Sequence, residues 1–212
     1  MRKITFFITF VVILFCFVDE AKAQQVEHLF NGKDLSNWNF VVDKNSVPAN
    51  EVFSVKDSVI HIKGTLGYMY TKKKYDNYVL HVEWRWPKEA TNSGIFLLIE
   101  DPKNPFPNGI ECQLGAGNVG DLVLLGGSNL DEYKTPPEGR PAFPVVKKAS
   151  ASSEKPTGEW NHANIFVQDG VITVVINGIH QNKGTNKIKT GHIGLQSEGK
   201  DIQFKNVTIS KL

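Results

Sequence analysis

Two glycine-containing dipeptides constrain the fold more than any other feature of the sequence. Asp169-Gly170 separates the apolar run 163–168 from the β-branched run Val171–Ile176, which Asn177-Gly178 then follows. Asp-Gly and Asn-Gly tolerate the positive φ angles that both central residues of a type I′ turn require. The two dipeptides therefore predict two hairpins and three consecutive antiparallel strands.

The rest of the chain also has the pattern of short strands. Further β-type runs lie at 52–55, 59–63, 78–86, 94–100, 109–114, 122–125, 192–196 and 202–209. No window of comparable length shows a capped apolar period of 3.6 residues. The sequence thus predicts an all-β fold, an antiparallel sandwich or barrel. The Pro-, Lys- and Ser-rich segment 129–156 is interpreted either as a functional loop over one end of the sandwich or as a mobile excursion.

The first 23 residues have the pattern of a secretory signal peptide. Arg2 and Lys3 precede the apolar stretch 4–18, and Ala21-Lys22-Ala23 forms an A-x-A cleavage site. We therefore expect a signal peptide at 1–23, one domain at 24–212, and export to a bacterial periplasm or the cell exterior. Cleavage is favoured over lipidation at Cys16, because a bulky Phe15 precedes that cysteine. No later apolar run reaches the ~20 residues needed to cross a bilayer, so no membrane span is expected.

Charge and ligand-type residues exclude several partners and cofactors. Lys and Arg number 24 and Asp and Glu number 22, which is too balanced for a nucleic-acid-binding protein. Removal of the signal leaves Cys112 alone, so neither a disulfide nor a cysteine-rich zinc site is expected. The histidines lack zinc-like spacing, and we expect no metal site built on them. A calcium ion bound by loop oxygen atoms remains an alternative, with Asp101, Asn104 and Asn108 as candidate ligands.

Alternation along two central strands predicts a polar sheet face. His81, Glu83 and Arg85 alternate with apolar residues in 78–86, and Glu111 and Gln113 do so in 109–114. An antiparallel sheet with one face on the core and one face open to solvent produces this pattern. If the open face is concave, it forms a trough whose polar groups suit sugar hydroxyls.

Glu111 is the candidate catalytic residue, because it lies mid-strand on the predicted polar face. Candidate substrate-binding residues are those expected to share that face or its rim: Gln113, Glu83, Arg85, His81, His61, Asn92 and Glu198. Each also has a structural interpretation. Glu83 could form a cross-strand ion pair, His61 could be a structural histidine, and Asn92 could belong to a tight turn.

An ordered set of motifs resembles a known family. The motifs are LFNGKDLSNW at 29–38, NSGIF at 92–96, GIECQL at 109–114, GEWN at 158–161, GHIGLQSEG at 191–199 and FKNV at 204–207. In this order they resemble the 3-keto-disaccharide hydrolase domain family. The resemblance implies a concanavalin-A-like jelly roll, export, and a carbohydrate ligand or substrate. Two positions depart from the family pattern: Leu98, where many members carry Arg or His, and Glu198, where a His is frequent.

The family resemblance implies acid–base cleavage of 3-keto-glycosides or 3-keto-disaccharides. A keto group at C3 acidifies the C2 hydrogen, so a base can remove it and the group at C1 can leave. Such a site needs a base, a donor for the enolate oxygen and an acid for the leaving group. The alternative is a non-catalytic, lectin-like carbohydrate-binding module on the same fold, and a third class is a structural sandwich without sugar affinity.

Overall fold

The structure is a computed structural model that describes residues 25–212; the predicted signal peptide lies outside the described residues. The strands of the described part are β1 (Val26–His28), β2 (Trp38–Val42), β3 (Phe53–Lys56), β4 (Val59–Ile62), β5 (Gly67–Thr71), β6 (Tyr78–Arg85), β7 (Gly94–Ile99), β8 (Gly109–Gln113), β9 (Leu122–Leu125), β10 (Val145–Val146), β11 (Asn161–Gln168), β12 (Val171–Ile176), β13 (Ile179–Thr185), β14 (His192–Ser197) and β15 (Ile202–Lys211). The helical elements are one α-helical turn, α1 (Ala49–Val52), and 3-10 turns at Asp43–Asn45 and Pro137–Gly139. None of the helices in this range is long and apolar enough to cross a membrane.

Both predicted hairpins are confirmed. Strands β11, β12 and β13 pair antiparallel, with Gln168 opposite Val171 and Ile176 opposite Ile179. Asp169 and Asn177 have φ angles of 49° and 48°, and the glycines that follow them have φ angles of 85° and 81°. Positive φ at both central positions is the type I′ requirement, so each dipeptide fixes the register of its hairpin.

Two antiparallel sheets form a sandwich. The order in the eight-stranded sheet is β13-β12-β11-β6-β15-β4-β3, with β1 added beside β15. The order in the seven-stranded sheet is β10-β9-β8-β7-β14-β5-β2. One hydrophobic core joins the facing sides, and it contains Leu80, Val82 and Trp84 from the first sheet and Ile95, Ile110 and Cys112 from the second. Burial of these apolar side chains is the main force that holds the sheets together.

The outer faces of the two sheets differ in burial. In the eight-stranded sheet, β6, β11 and β12 alternate between buried and more exposed residues, as a strand with one solvated face does. In the seven-stranded sheet, every residue of β7 and β9 is buried. Its outer face carries a second, smaller cluster of Tyr68, Phe96, Ile99, Val123 and Leu125. That face is therefore largely buried, and we call it the recessed face in this sense.

The Pro- and Ser-rich segment 129–156 is anchored to both sheets. Its strand β10 pairs with β9, which joins it to the seven-stranded sheet. Asp121 accepts hydrogen bonds from the Lys148 backbone N–H and the Lys147 ammonium group, both at 2.8 Å. Ser153 Oγ then donates to the Ile176 carbonyl of the eight-stranded sheet at 2.7 Å. Of the two interpretations of the segment, the structure thus favours a loop fixed to the sandwich over a mobile excursion.

Candidate active site

Glu111 lies on the recessed outer face of the seven-stranded sheet. It is the middle residue of β8, opposite Phe96 of β7 and Val123 of β9. Its neighbour Cys112 points the other way into the main core, as the alternation of a strand requires. The side chain of Glu111 is only 3% exposed. The predicted acidic residue is therefore on the non-core face, in a buried position.

Gly94 makes room for the Glu111 carboxyl group. A Cβ atom at residue 94 would lie 2.3 Å from Glu111 Oε1 and 2.6 Å from Glu111 Cγ. Real Cβ contacts are not this short, so the carboxyl group occupies space that any other residue at 94 would fill. The NSG motif thus supplies the bare backbone against which Glu111 packs.

This face also has unmet hydrogen-bonding capacity. Of the eight buried side-chain atoms without a hydrogen-bond partner in residues 25–212, three belong to it: Tyr68 Oη, Glu111 Oε1 and Gln196 Oε1. A buried polar atom without a partner costs about 1–3 kcal/mol, so proteins rarely retain several together. Such atoms are available to a ligand that brings matching donors and acceptors.

The environment of Glu111 favours its protonated form. Burial, and then the negative charge of Glu198, raise the pKa of the Glu111 carboxyl to about 8 from its ordinary 4.5. Glu198 is held nearby because the Gln196 amide donates a hydrogen bond to it at 2.7 Å. The two glutamates thus form an interacting pair in which Glu111 exchanges its proton near neutral pH.

Two predicted amide residues line the same region. Gln113 follows Glu111 by two positions and faces Gly94 across the β7–β8 pairing. Its Oε1 accepts a hydrogen bond from the Gly115 backbone N–H at 2.6 Å. Asn92 Oδ1 also approaches Gly115, 2.9 Å from where a Cβ atom would stand there. The structure therefore brings together Glu111, Gln113, Asn92 and Glu198 of the predicted set.

The other four predicted residues lie on the opposite side of the molecule. His81, Glu83 and Arg85 project from β6 and His61 from β4, all on the outer face of the eight-stranded sheet. The expectation that all eight residues share one trough is wrong. The physical reason is that alternation assigns residues to a face of their own strand, whereas β6 and β8 belong to different sheets.

Those four residues form a partnered network instead. Arg85 Nε donates to Gln203 Oε1 at 2.7 Å, and Gln203 Nε2 in turn donates to His61 Nδ1 at 3.2 Å. Glu83 accepts a hydrogen bond from Asn206 Nδ2 at 2.6 Å and pairs with the Lys205 ammonium group at 3.3 Å. Partial burial alone would raise the pKa of Glu83, but these contacts lower it. This pattern fits the structural interpretation, a solvated face with a cross-strand ion pair.

The remaining candidate positions have local roles. Asp101 pairs with Lys103 at 2.6 Å, Asn104 Oδ1 accepts from the Phe106 N–H at 2.9 Å, and Asn108 Nδ2 donates to the Gly126 carbonyl at 3.2 Å. Within the described range, no three His, Cys, Asp or Glu side chains gather as metal ligands. Leu98 is buried in the main core, so it places no side chain on the recessed face.

Gln196 is a residue of this site that sequence reasoning did not select. Gln196 lies two positions before Glu198 in the GHIGLQSEG motif, so alternation could have found it. Tyr68 pairs with Gln196 across β5 and β14. From the sequence, Tyr68 and Tyr70 are candidates either for stacking on sugar rings or for hairpin packing, and β5, with apolar residues on both faces, has no alternation that assigns them to a face.

Comparison with known proteins identifies the domain. The sequence profile of the 3-keto-alpha-glucoside-1,2-lyase-like domain family matches residues 25–210. The chain belongs to this family. A search of curated protein sequences gives no match. The family match makes this a carbohydrate-active sandwich domain of hydrolase-like type, as the motifs predicted.

Solved structures agree on the fold. A presumptive glycosyl hydrolase from Parabacteroides distasonis has a TM-score of 0.64 at 23% identity, covering 89% of this chain and 100% of its own. A carbohydrate-binding module, CBM66 from Bacillus subtilis, has a TM-score of 0.62 at 8% identity, covering 82% and 96%. A β-glucanase from Bacillus licheniformis has a TM-score of 0.54 at 10% identity, covering 91% and 100%. These likenesses confirm the glucanase- and lectin-like jelly roll predicted for the 3-keto-alpha-glucoside-1,2-lyase-like domain.

Proposed function

We propose that this protein is an exported enzyme that cleaves 3-keto-glycosides, with Glu111 as its acid–base residue. The observation that carries the proposal is a buried carboxyl group whose Oε1 atom has no hydrogen-bond partner and which packs against bare Gly94 in a family-specific motif. A group of this kind lowers the stability of the fold, and proteins retain such destabilising groups where catalysis requires them. Export is supported by the signal-peptide pattern at 1–23.

The chemistry begins with proton removal at C2 of the sugar. Ionised Glu111 takes the C2 proton, and the electrons of the C2–H bond form an enolate whose negative charge lies on the C3 oxygen. When the C3 carbonyl re-forms, a double bond forms between C1 and C2 and the bond from C1 to the leaving oxygen breaks. Water then adds across the double bond, with OH at C1 and H at C2, so the net reaction is hydrolysis.

The raised pKa of Glu111 suits this role. A carboxylate with a pKa of about 8 is a stronger base than an ordinary glutamate, and base strength governs removal of a carbon-bound proton. After it has taken the C2 proton, the Glu111 carboxyl is neutral, which its buried site favours. It can then act as the acid and give this proton to the leaving oxygen. The Gln113 and Asn92 amides stand beside Gly115 and can donate to the enolate oxygen.

A carbohydrate-binding role without catalysis is the second candidate. It is favoured by the likeness of the fold to a carbohydrate-binding module and by Glu198 at a position where the resembled family often has His. Such a role needs a sugar site but no base. It would leave the raised pKa of Glu111 without a function, which is why the enzyme is the preferred proposal.

Sugar release and binding by two proteins distinguish the candidates. Wild type and Glu111→Gln are each incubated with a 3-keto-disaccharide and with its unoxidised parent disaccharide. Release from the keto substrate alone, lost in Glu111→Gln, is the result expected of the enzyme. Binding by both proteins without release by either would establish the lectin-like role, and an absence of both would leave a structural sandwich.

A further inference from the structure

Gln196 lies opposite Gly94 on the recessed face. Strand β14 pairs with β7 so that Leu195 is opposite Ile95, which places the next residue, Gln196, opposite Gly94. The Ser93 hydroxyl group helps to fix this register, because it donates to the Gln196 backbone carbonyl at 2.9 Å. Leu195 points into the main core, so the Gln196 side chain points the other way, and it is 1% exposed. Gln196 is therefore buried one strand away from β8.

The Glu111 carboxyl group reaches across Gly94 toward Gln196. Glu111 Oε1 is 2.3 Å from the position that a Cβ atom would take at residue 94. Residues directly opposite each other in an antiparallel pair have Cβ atoms about 4.5–5.5 Å apart, a separation that a glutamine side chain can span. Glu198 gives a second indication, because its charge acts on Glu111 and its Oε2 accepts a hydrogen bond from Gln196 Nε2 at 2.7 Å. Gln196 is thus beside both glutamates.

Two oxygen atoms at this place lack partners, and one proton satisfies both. Glu111 Oε1 and Gln196 Oε1 are each buried without a hydrogen-bond partner. An ionised carboxylate and an amide oxygen are both acceptors, so neither can satisfy the other. A protonated carboxyl group has one O–H donor, which the amide oxygen can accept. Tyr68, which pairs with Gln196 across β5 and β14, does not supply this donor, since its Oη also lacks a partner.

The other neighbours of Glu111 leave the proton to this pair. Burial and the charge of Glu198 together raise the pKa of Glu111 to about 8. Burial also raises the pKa of Tyr68, so its hydroxyl group carries no charge near neutral pH. The side chains that face Glu111 from the adjacent strands β7 and β9 do not titrate: Gly94, Phe96 and Val123.

We infer that Gln196 is a positioning residue that holds Glu111 and Glu198 in different protonation states. Its amide oxygen accepts the hydrogen bond of protonated Glu111, and its amide N–H group donates to ionised Glu198. Because donor and acceptor belong to one planar amide, Gln196 determines which of the two carboxyl groups carries the proton. The inference rests on the proposed function, in which Glu111 takes up and returns that proton. When Glu111 is ionised the hydrogen bond is absent, which favours uptake of a proton from C2 of the sugar.

Infrared difference spectroscopy tests the hydrogen bond without any substrate. At about pH 6 ordinary carboxyl groups are ionised whereas Glu111 is protonated, so the spectrum of wild type minus that of Glu111→Gln isolates the C=O stretching band of Glu111. Loss of a hydrogen bond raises the frequency of this band. Gln196→Met keeps the length of the side chain and removes its amide. It should therefore move the band to higher frequency, measured against the same protein carrying Glu111→Gln as well.

The same substitution at Gln113 is the matched control. Gln113 is on the strand and face of Glu111, but its Oε1 already accepts a hydrogen bond from the Gly115 N–H at 2.6 Å. Gln113→Met should leave the band in place, and so should Glu198→Gln, which retains the amide of Gln196. A band that Gln196→Met does not move, or one that Gln113→Met or Glu198→Gln moves equally, would overturn the inference.

Kinetics separate this inference from the proposed function. Gln196→Met should lower kcat for a 3-keto-disaccharide about 10–100-fold with KM within about twofold, because the carboxyl group of Glu111 is no longer held in place. The midpoint of its pH profile should also move to lower pH, since protonated Glu111 has lost its partner. An unchanged kcat would overturn the positioning role. A wild type that releases no sugar, while Gln196→Met still moves the infrared band, would overturn the proposed function and leave the hydrogen bond standing.

Discussion

The outer faces of the two sheets both carry polar side chains, but the two sets of side chains differ in burial and in whether their hydrogen bonds are satisfied. On the eight-stranded sheet, His61, Arg85 and Glu83 are half-buried and satisfied by neighbours. On the seven-stranded sheet, Glu111 and Gln196 are buried with oxygen atoms that have no partner. A satisfied, solvated network is what any sheet surface provides. Unmet hydrogen bonding at these outer-face residues, rather than polarity, distinguishes the face on which we propose the active site.

A glutamate-to-glutamine substitution on each of the two faces should give the largest contrast in turnover. Glu111→Gln keeps the shape of the side chain but removes the base, and we expect turnover of a 3-keto-disaccharide to fall about 10²–10⁴-fold. Glu83→Gln should retain turnover within about twofold, because Glu83 is on the opposite side of the sandwich. Steady-state rates of the purified proteins check this. A comparable loss in both variants would remove the distinction between the faces.

Filling the space beside Glu111 should cost less activity than removing its carboxyl group. Gly94→Ala places a Cβ atom 2.3 Å from Glu111 Oε1, so the carboxyl group must move. A displacement of about 1 Å can cost about 100-fold in rate. Gly139→Ala is the control, because its Cβ atom would meet only the Thr135 side chain, at 3.3 Å. Unchanged kinetics in Gly94→Ala would show that the position of Glu111 is not critical.

Removing the neighbouring charge should shift the pH dependence of the reaction. If Glu111 acts as the base, kcat/KM rises with pH, is half-maximal around pH 8 and levels off above it. Glu198→Gln removes the negative charge that helps to raise the pKa of Glu111, so the midpoint should move to lower pH. Rate profiles between pH 5 and 10 measure this. A wild-type rate that falls above pH 8 would instead assign Glu111 as the acid.

The smallest effect is expected on the free energy of unfolding, for a substitution on the outer face of the eight-stranded sheet. Glu83 is partly exposed and its pKa is lowered by hydrogen bonds and by Lys205, so its ionised form contributes stability at neutral pH. Glu83→Gln should lower the free energy of unfolding by under about 1 kcal/mol at pH 7. The difference should vanish as the pH falls through the acidic range in which Glu83 protonates. Urea unfolding at two salt concentrations tests this, with a smaller difference at high salt.

Local signals in the sequence predicted much of the fold. Asp169-Gly170 and Asn177-Gly178 determine their hairpins because the turn chemistry lies within two residues. Strand β5 was not predicted, because Tyr68 and Met69 are buried on opposite faces and leave no alternation. Strand β10 has only two residues and depends on its pairing with β9.

The site was predicted in part. Glu111 and Gln113 share a face because they are two residues apart on one strand, and the structure confirms that arrangement. Glu83 was grouped with them because its strand has the same alternation. Which strands share a sheet depends on long-range pairing, which the sequence does not display locally. The nearness of Glu198 to Glu111 likewise depends on β14 pairing with β7.

The most direct test of the central claim needs no substrate: the free energy of unfolding of wild type and Glu111→Gln from pH 4 to pH 9. Between the ordinary glutamate pKa of 4.5 and about 8, native Glu111 holds a proton that the unfolded chain has released. Wild type should therefore lose stability relative to Glu111→Gln as the pH rises, by up to about 5 kcal/mol above pH 8. A difference that stays constant with pH, or one in which wild type gains stability, would show that Glu111 is not the buried acid with a raised pKa on which the account depends.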